Sequence, residues 1–316
     1  GYDRAYAGAV TAASGGIGII IPPSIPMVIF GISAMGLQVP EEAVQKHGEF
    51  AGLSIPKLFM AGAIPGLVMA LALIVMNALI SRQRGYRGMT DSWHLHTLLV
   101  AVRQGVWSLV APVIILGGIY CGLFTPTESA VVAIAYTVLV GVVLHREMTW
   151  AKARDALRAT TWITGRVLLI LFAATMFGRL LVEEEIPARL AGMLLGLTDS
   201  LNVVWLFLIV LLLFVGMFME TLAAIMILVP VLMPIMYMLG ADPTHVGVVV
   251  ICALSIGFQT PPLGENLFVA SGISGMTVER IVAKVLPFTL VSVMALLLIA
   301  YVPELSLWLP GVMGYR

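Results

Sequence analysis

The sequence predicts an all-α polytopic membrane protein in which two inverted repeats carry broken helices and a further segment forms a re-entrant hairpin. Three observations support this. Of 316 residues, 60% are hydrophobic and 11% charged, where soluble domains run near half apolar and about a quarter charged; mean hydropathy is +1.04. Eight apolar segments reach roughly the ~20 residues a helix needs to cross hydrocarbon. Two of them are interrupted by paired prolines, Pro22-Pro23 and Pro261-Pro262, and proline lacks an N–H and clashes with the preceding helical turn.

In chain order the segments are 5–35 (broken at Pro22-Pro23), 58–81, 105–123, 126–144, 163–182, 202–239, 244–275 (broken at Pro261-Pro262) and 286–311. Thr125-Pro126-Thr127-Glu128 opens the fourth with a proline near its start and an acid in the first turn, both helix-start signals. The 202–239 run is too long for one crossing and is read as too short for two with a loop. With Gly216-Met217-Phe218-Met219-Glu220-Thr221 at its middle, it is expected to enter, turn at mid-depth and leave on the same side. Residues 91–104 read as an amphipathic helix at the cytoplasmic interface.

Charge orients these segments. Arg82, Arg84, Arg87 and Arg103 stand against Asp91 in one connection, and Arg146, Lys152, Arg154, Arg158 and Arg166 against Glu147 and Asp155 in another. Basic connections stay cytoplasmic, so both face inward. Glu41, Glu42, Glu49, Glu183-Glu184-Glu185 and Asp242 then face outward. Segment 5–35 runs outward, and the hairpin opens outward.

Several functions are excluded. Lys+Arg and Asp+Glu balance at 17 each, which points to no nucleic-acid partner. Cys121 and Cys252 fall in apolar segments, where a structural disulfide is not expected. His94 and His96 are two apart and do not share a helix face. No Ser/His/Asp or Cys/His grouping suggests an enzyme. Thr11-Ala12-Ala13-Ser14-Gly15-Gly16-Ile17-Gly18 has the glycines of a dinucleotide loop, but prolines and a membrane-like setting replace the strand and helix such a loop needs. The chain opens Gly1-Tyr2-Asp3-Arg4 without a methionine, so a longer natural chain is expected.

The two breaks match. Ile17-Gly18 is separated by three residues from Pro22-Pro23, and Ile256-Gly257 by three from Pro261-Pro262. Gly31-Ile32-Ser33-Ala34-Met35 then parallels Gly272-Ile273-Ser274-Gly275-Met276 after a two-residue insertion. Ile64-Pro65 and Leu286-Pro287 are each expected at the start of the following helix. The first copy runs outward and the second inward, the arrangement by which secondary transporters build a midplane site. Unpaired backbone in hydrocarbon costs several kcal/mol per group, so it persists only inside protein or beside a cavity. Carbonyls of about one turn lose their donors at each break, and several such oxygens facing one dry cavity seat a small hard cation such as Na⁺. The alternative is a proline kink without a ligand.

Side chains near the breaks are the substrate-binding candidates. Glu220 lies at the hairpin tip, and Gln259 and Glu265 flank the second break; ionisable groups at mid-depth suggest function. Glu220 and Glu265 also suit the starts of helices, where free N–H groups attract a carboxylate. Ser24 follows the first proline pair, either lining a cavity or capping a helix.

With these residues in view, the chain resembles the large membrane subunit of TRAP transporters (tripartite ATP-independent periplasmic transporters, the DctM-like subunit). The matching stretches are Thr11-Ala12-Ala13-Ser14 through Ile25-Pro26-Met27, Gly117-Gly118 with Phe124-Thr125-Pro126-Thr127-Glu128, Gly216 through Ala223, Gly240-Ala241-Asp242-Pro243-Thr244-His245, and Thr260-Pro261-Pro262 with Leu267-Phe268-Val269. The resemblance implies an elevator-type secondary active transporter of the ion-transporter superfamily. It implies a symporter in the bacterial inner (cytoplasmic) membrane, driven by Na⁺ and importing organic acid anions such as C4-dicarboxylates or sialic acid. The implied partners are a small four-helix membrane subunit and a periplasmic substrate-binding protein.

It further implies one Na⁺ held by the carbonyls of Gly18, Ile21 and Pro23. A second is implied at Gly216, Gly257, Thr260 and Gly264, with the Thr260 hydroxyl available as well. A full subunit carries helices and an inward-opening hairpin before the position of residue 1, so the chain is expected to be N-terminally incomplete. The resemblance divides it into 1–57 (first broken helix and periplasmic connection), 58–182 (scaffold and interfacial arm helices) and 183–316 (hairpin, second broken helix and final span), the first and last forming the transport domain. A divalent-anion/Na⁺ symporter independent of a binding protein is the alternative; a channel suits the nearly all-apolar spans less well.

Overall fold

The computed structural model describes residues 2–86, 95–185 and 200–314, with single positions 189, 192, 193, 196 and 198 between them. Thirteen α-helices and no strand occupy the described residues. They are α1 (Arg4–Gly15), α2 (Ile25–Met35), α3 (Glu41–His47), α4 (Ile55–Gln83), α5 (Leu95–Tyr120), α6 (Pro126–Leu139), α7 (Trp150–Glu183), α8 (Leu201–Phe218), α9 (Thr221–Met238), α10 (Pro243–Gly257), α11 (Glu265–Ser274), α12 (Val278–Tyr301) and α13 (Glu304–Val312). By length and composition, α4, α6 with its extension to Leu144, α8, α9 and α12 can each cross a membrane. This is an all-α polytopic membrane protein.

The chain divides into two compact units, Gly1–Gly88 with Leu171–Arg316, and Met89–Ile170. In the smaller, α5 and α6 pack side by side. Thr125 Oγ1 accepts from the Glu128 N–H at 3.3 Å, and a Glu128 carboxylate oxygen accepts from the Thr125 N–H at 2.8 Å. This reciprocal pair satisfies two donors that a helix start leaves open. Tyr136 donates to the Trp107 carbonyl at 2.7 Å, tying α6 back to α5.

The larger unit is built around α10, every residue of which is buried. It reads apolar on all sides, as a helix enclosed by protein must, and α2, α4, α8, α9, α12 and α13 pack against it. Its start is pinned: Asp242 accepts from the Thr244 and His245 N–H groups at 2.7 and 3.2 Å. The His245 ring meets the Ala300 carbonyl of α12 at 3.1 Å. A second core joins α1, α4, α11 and α12 through Tyr6, Ala9, Ala13, Leu73, Leu267, Ile281 and Phe288.

Both proline pairs break their helices. α1 tightens into a 3₁₀ turn over Gly16–Ile19 and the chain restarts as α2 at Ile25; α10 stops at Gly257 and restarts as α11 at Glu265. At 1.5 Å per residue these four pieces are about 15 to 23 Å long, each short of the ~30 Å hydrocarbon core.

Three expectations need correction. The 202–239 run is long enough for two helices of 18 residues each, because the turn consumes only Met219 and Glu220. Length alone therefore does not make it re-entrant. Pro65 and Pro287 lie inside α4 and α12, not at their starts. Ser54 caps α4 by accepting from the Lys57 N–H at 3.3 Å, so the helix is already under way when Pro65 arrives. The 286–311 segment divides too: α12 ends at Tyr301, and Pro303 precedes the separate helix α13. The start of the 91–104 stretch, with His94, lies outside the described residues.

Glycine is required where α8 meets the end of α10. A Cβ on Gly257 would lie 2.6 Å from the Cα and carbonyl carbon of Gly216, and one on Gly216 would lie 2.9 Å from the Leu254 carbonyl oxygen. Backbone cannot yield as a side chain can. Gly257→Ala is expected to lower stability by about 1–3 kcal/mol, read as a fall in the melting temperature of the purified protein in detergent. Gly272→Ala, whose Cβ meets nothing within 4 Å, should leave it unchanged or slightly raised.

Candidate functional site

At the first break, the Ile20 and Ile21 N–H groups both donate to the Ile17 carbonyl at 3.0 Å. The Ser24 hydroxyl donates to Ile19 C=O and accepts from the Met27 N–H at 3.3 Å, capping α2. Among the described residues nothing donates to the carbonyl oxygens of Gly18, Ile21 or Pro23. These are the three oxygens assigned to an ion from sequence. Gly18 is exposed, and a Cβ there would meet nothing within 4 Å.

At the second break the loop folds on itself. Thr260 N–H donates to Gly257 C=O at 2.9 Å, Gly264 N–H to Thr260 C=O at 3.2 Å, and Leu267 N–H to Gly264 C=O at 2.9 Å. The Thr260 hydroxyl donates to Ile256 C=O at 2.7 Å, which leaves its oxygen lone pairs free. Each of these carbonyls retains a second lone pair, and no donor among the described residues reaches the Gly216 carbonyl. Gly216 and Gly257 are in backbone contact, and Gly264 packs against the carbonyls of Phe258 and Thr260. The structure thus brings the four assigned positions onto one loop and the helix end beside it. Hard, uncharged oxygens of this kind suit Na⁺.

The family described as "Tripartite ATP-independent periplasmic transporter, DctM component" matches residues 1–305. The chain belongs to this family. It is 40% identical over 311 residues to the isethionate TRAP transporter permease protein DctMQ of Oleidesulfovibrio alaskensis, covering 98% of this chain and 46% of that protein. It is 36% identical over 315 residues to the sialic acid TRAP transporter large permease protein SiaM of Vibrio cholerae, covering 99% and 70%. Against the C4-dicarboxylate TRAP transporter large permease protein DctM of Pseudomonas aeruginosa it is 35% identical over 319 residues, covering 99% and 69%. The chain spans about half the length of the first relative and about 70% of the other two. The relatives are transporter permease proteins, and the family is one of transporter components rather than enzymes.

The four substrate candidates of this DctM-family chain occupy unlike places. Ser24 is buried, and its hydroxyl is engaged on both sides. Gln259 is buried and turned toward α12, where its amide donates to Ser292 Oγ at 3.0 Å; its carbonyl oxygen has no partner among the described residues. Glu220 is half-buried and caps α9, accepting from the Ala223 N–H at 3.4 Å. Glu265 is exposed as the first residue of α11.

Sequence reading passed over Ser255, Asn266 and Ser292. Ser255 and Ser292 are polar residues among apolar neighbours, which is the available signal; Asn266, beside Glu265, offers none. Ser255 donates to Gly16 C=O at 2.7 Å and Asn266 to Ala12 C=O at 3.1 Å.

Ser24→Ala removes the cap and strands the Ile19 carbonyl. The expected loss is about 1–3 kcal/mol, seen as a lowered melting temperature and restored by Ser24→Thr. A substrate contact would instead raise the half-saturating substrate concentration with unchanged melting.

Proposed function

We propose that this chain carries the ion-handling breaks of the large membrane subunit in a Na⁺-coupled symporter of the bacterial inner membrane. It imports organic acid anions delivered by a periplasmic binding protein and works beside a small four-helix membrane subunit. The names of its relatives, which cite isethionate, sialic acid and C4-dicarboxylate, support a small organic acid as substrate. The observation that carries the reading is the meeting of Gly216 with Gly257 beside a loop whose carbonyls keep free lone pairs.

The two breaks are inverted repeats on this reading, and α8 and α9 form a re-entrant hairpin. Support comes from packing: the end of α8 rests on the end of α10, a helix too short to reach across the bilayer. Na⁺ neutralises the carbonyl dipoles at each break and favours the arrangement that accepts substrate, so ion and substrate binding assist each other equally. Alternating access then comes from an elevator movement of the broken-helix bundle.

The test is uptake by the complete complex in proteoliposomes with its binding protein. A Na⁺ gradient should drive accumulation and an equal K⁺ gradient should not; equal uptake under both sinks the coupling. Thr260→Val should raise the half-saturating Na⁺ concentration at least about tenfold, since one hydrogen-bonding ligand of a charge is worth roughly 1.5–3 kcal/mol. An unchanged value would leave only the Thr260 carbonyl in the site.

A further inference from the structure

Gly16 and Ser255 are matched positions, each immediately preceding an Ile-Gly pair ahead of a double proline. In the folded chain they touch. Buried Ser255 donates its hydroxyl to Gly16 C=O at 2.7 Å, and a Cβ on Gly16 would lie 3.1 Å from the Ser255 carbonyl oxygen. The contact therefore requires glycine on one side and a short hydroxyl on the other.

A second tie lies nearby in the chain. Asn266 donates its side-chain amide to Ala12 C=O at 3.1 Å, while its own N–H donates to Phe258 C=O at 3.0 Å. One residue thus closes the second break and grips the last turn of α1. Gly15 allows this approach, its Cβ position lying 3.3 Å from the Asn266 amide nitrogen. Ala12 and Gly16 flank the end of α1, where carbonyls lose their helical donors. The second break supplies donors to both.

We propose that Ser255 and Asn266 are positioning residues that join the two breaks into one mechanical unit, so that an ion held at either break orders the carbonyls of the other. The inference rests on the Na⁺-coupled reading. Its physical route is short: Thr260 and Gly264 fix the loop from which Asn266 departs, and Asn266 and Ser255 fix the backbone from which Gly18 and Ile21 present their oxygens. Two sites coupled in this way bind reciprocally. Neither side chain needs to touch the ion.

The experiment uses the complete transporter complex and compares wild type with Ser255→Ala, Ser255→Thr and Asn266→Ala. Hydrogen exchange is followed over residues 12–24, and uptake is titrated with Na⁺. Removing one tie should speed exchange across 12–24 about fivefold, the order expected for one hydrogen bond. The half-saturating Na⁺ concentration should rise by a similar factor and the titration become less steep, with maximal uptake retained. Ser255→Thr should restore all of these, which a purely structural role would not require of the Na⁺ titration. Should Ser255→Ala fail to assemble, Asn266→Ala, at a half-buried position, provides the same comparison. Wild-type uptake indifferent to Na⁺ overturns the coupled reading and this inference with it. Na⁺-driven uptake with unaltered exchange and half-saturation in both variants overturns the inference alone.

Discussion

A backbone carbonyl left without a donor in hydrocarbon costs several kcal/mol, and the larger unit is organised around that constraint. Four prolines interrupt two helices in the middle of an apolar protein, and the fold then satisfies what it can. Ser24 takes Ile19, Thr260 takes Ile256, Ser255 takes Gly16 and Asn266 takes Ala12. Among the described residues, the carbonyls at Gly18, Ile21, Pro23 and Gly216 receive no donor, and neither do those of Ile20 and Pro22.

The same constraint explains the burial of α10. A helix that ends in mid-protein needs neighbours around its last turn, and α10 is enclosed along its whole length. Gly216 allows α8 to lie directly on that end. The two arms of the hairpin pack differently: α8 lies along α10, and α9 along both α2 and α10. The hairpin therefore contacts a helix from each break while its own arms touch little, so its position is sensitive to both.

Sequence made the breaks legible because their signals are local. The Gly-to-Pro-Pro spacing, the Thr125–Glu128 cap and the acid at Glu220 all act within about one turn, and each was readable in a short window. What connects the breaks was not. Ser255 lies 239 residues from Gly16, and Asn266 lies 254 from Ala12; bonds over such separations leave no periodic trace in a single chain. Pro65 was misplaced for the opposite reason. A proline is a strong local signal for a helix start, but the Ser54 cap eleven residues earlier had already set the helix. The orientation of Gln259 was equally hidden, because its partner Ser292 belongs to another helix.

The two breaks share a plan but differ in charge. No acidic residue lies in the first turn of α2, whose start is capped by the neutral Ser24. At the second break Glu220 caps α9 and Glu265 opens α11. Carboxylates at helix starts offset the positive ends of those helices. On the proposed reading they also bias the second break toward a cation. The first break lacks this bias: its α2 terminus is compensated only by a hydroxyl. The two breaks therefore stand in unlike fields, and the difference arises from three side chains, Ser24, Glu220 and Glu265.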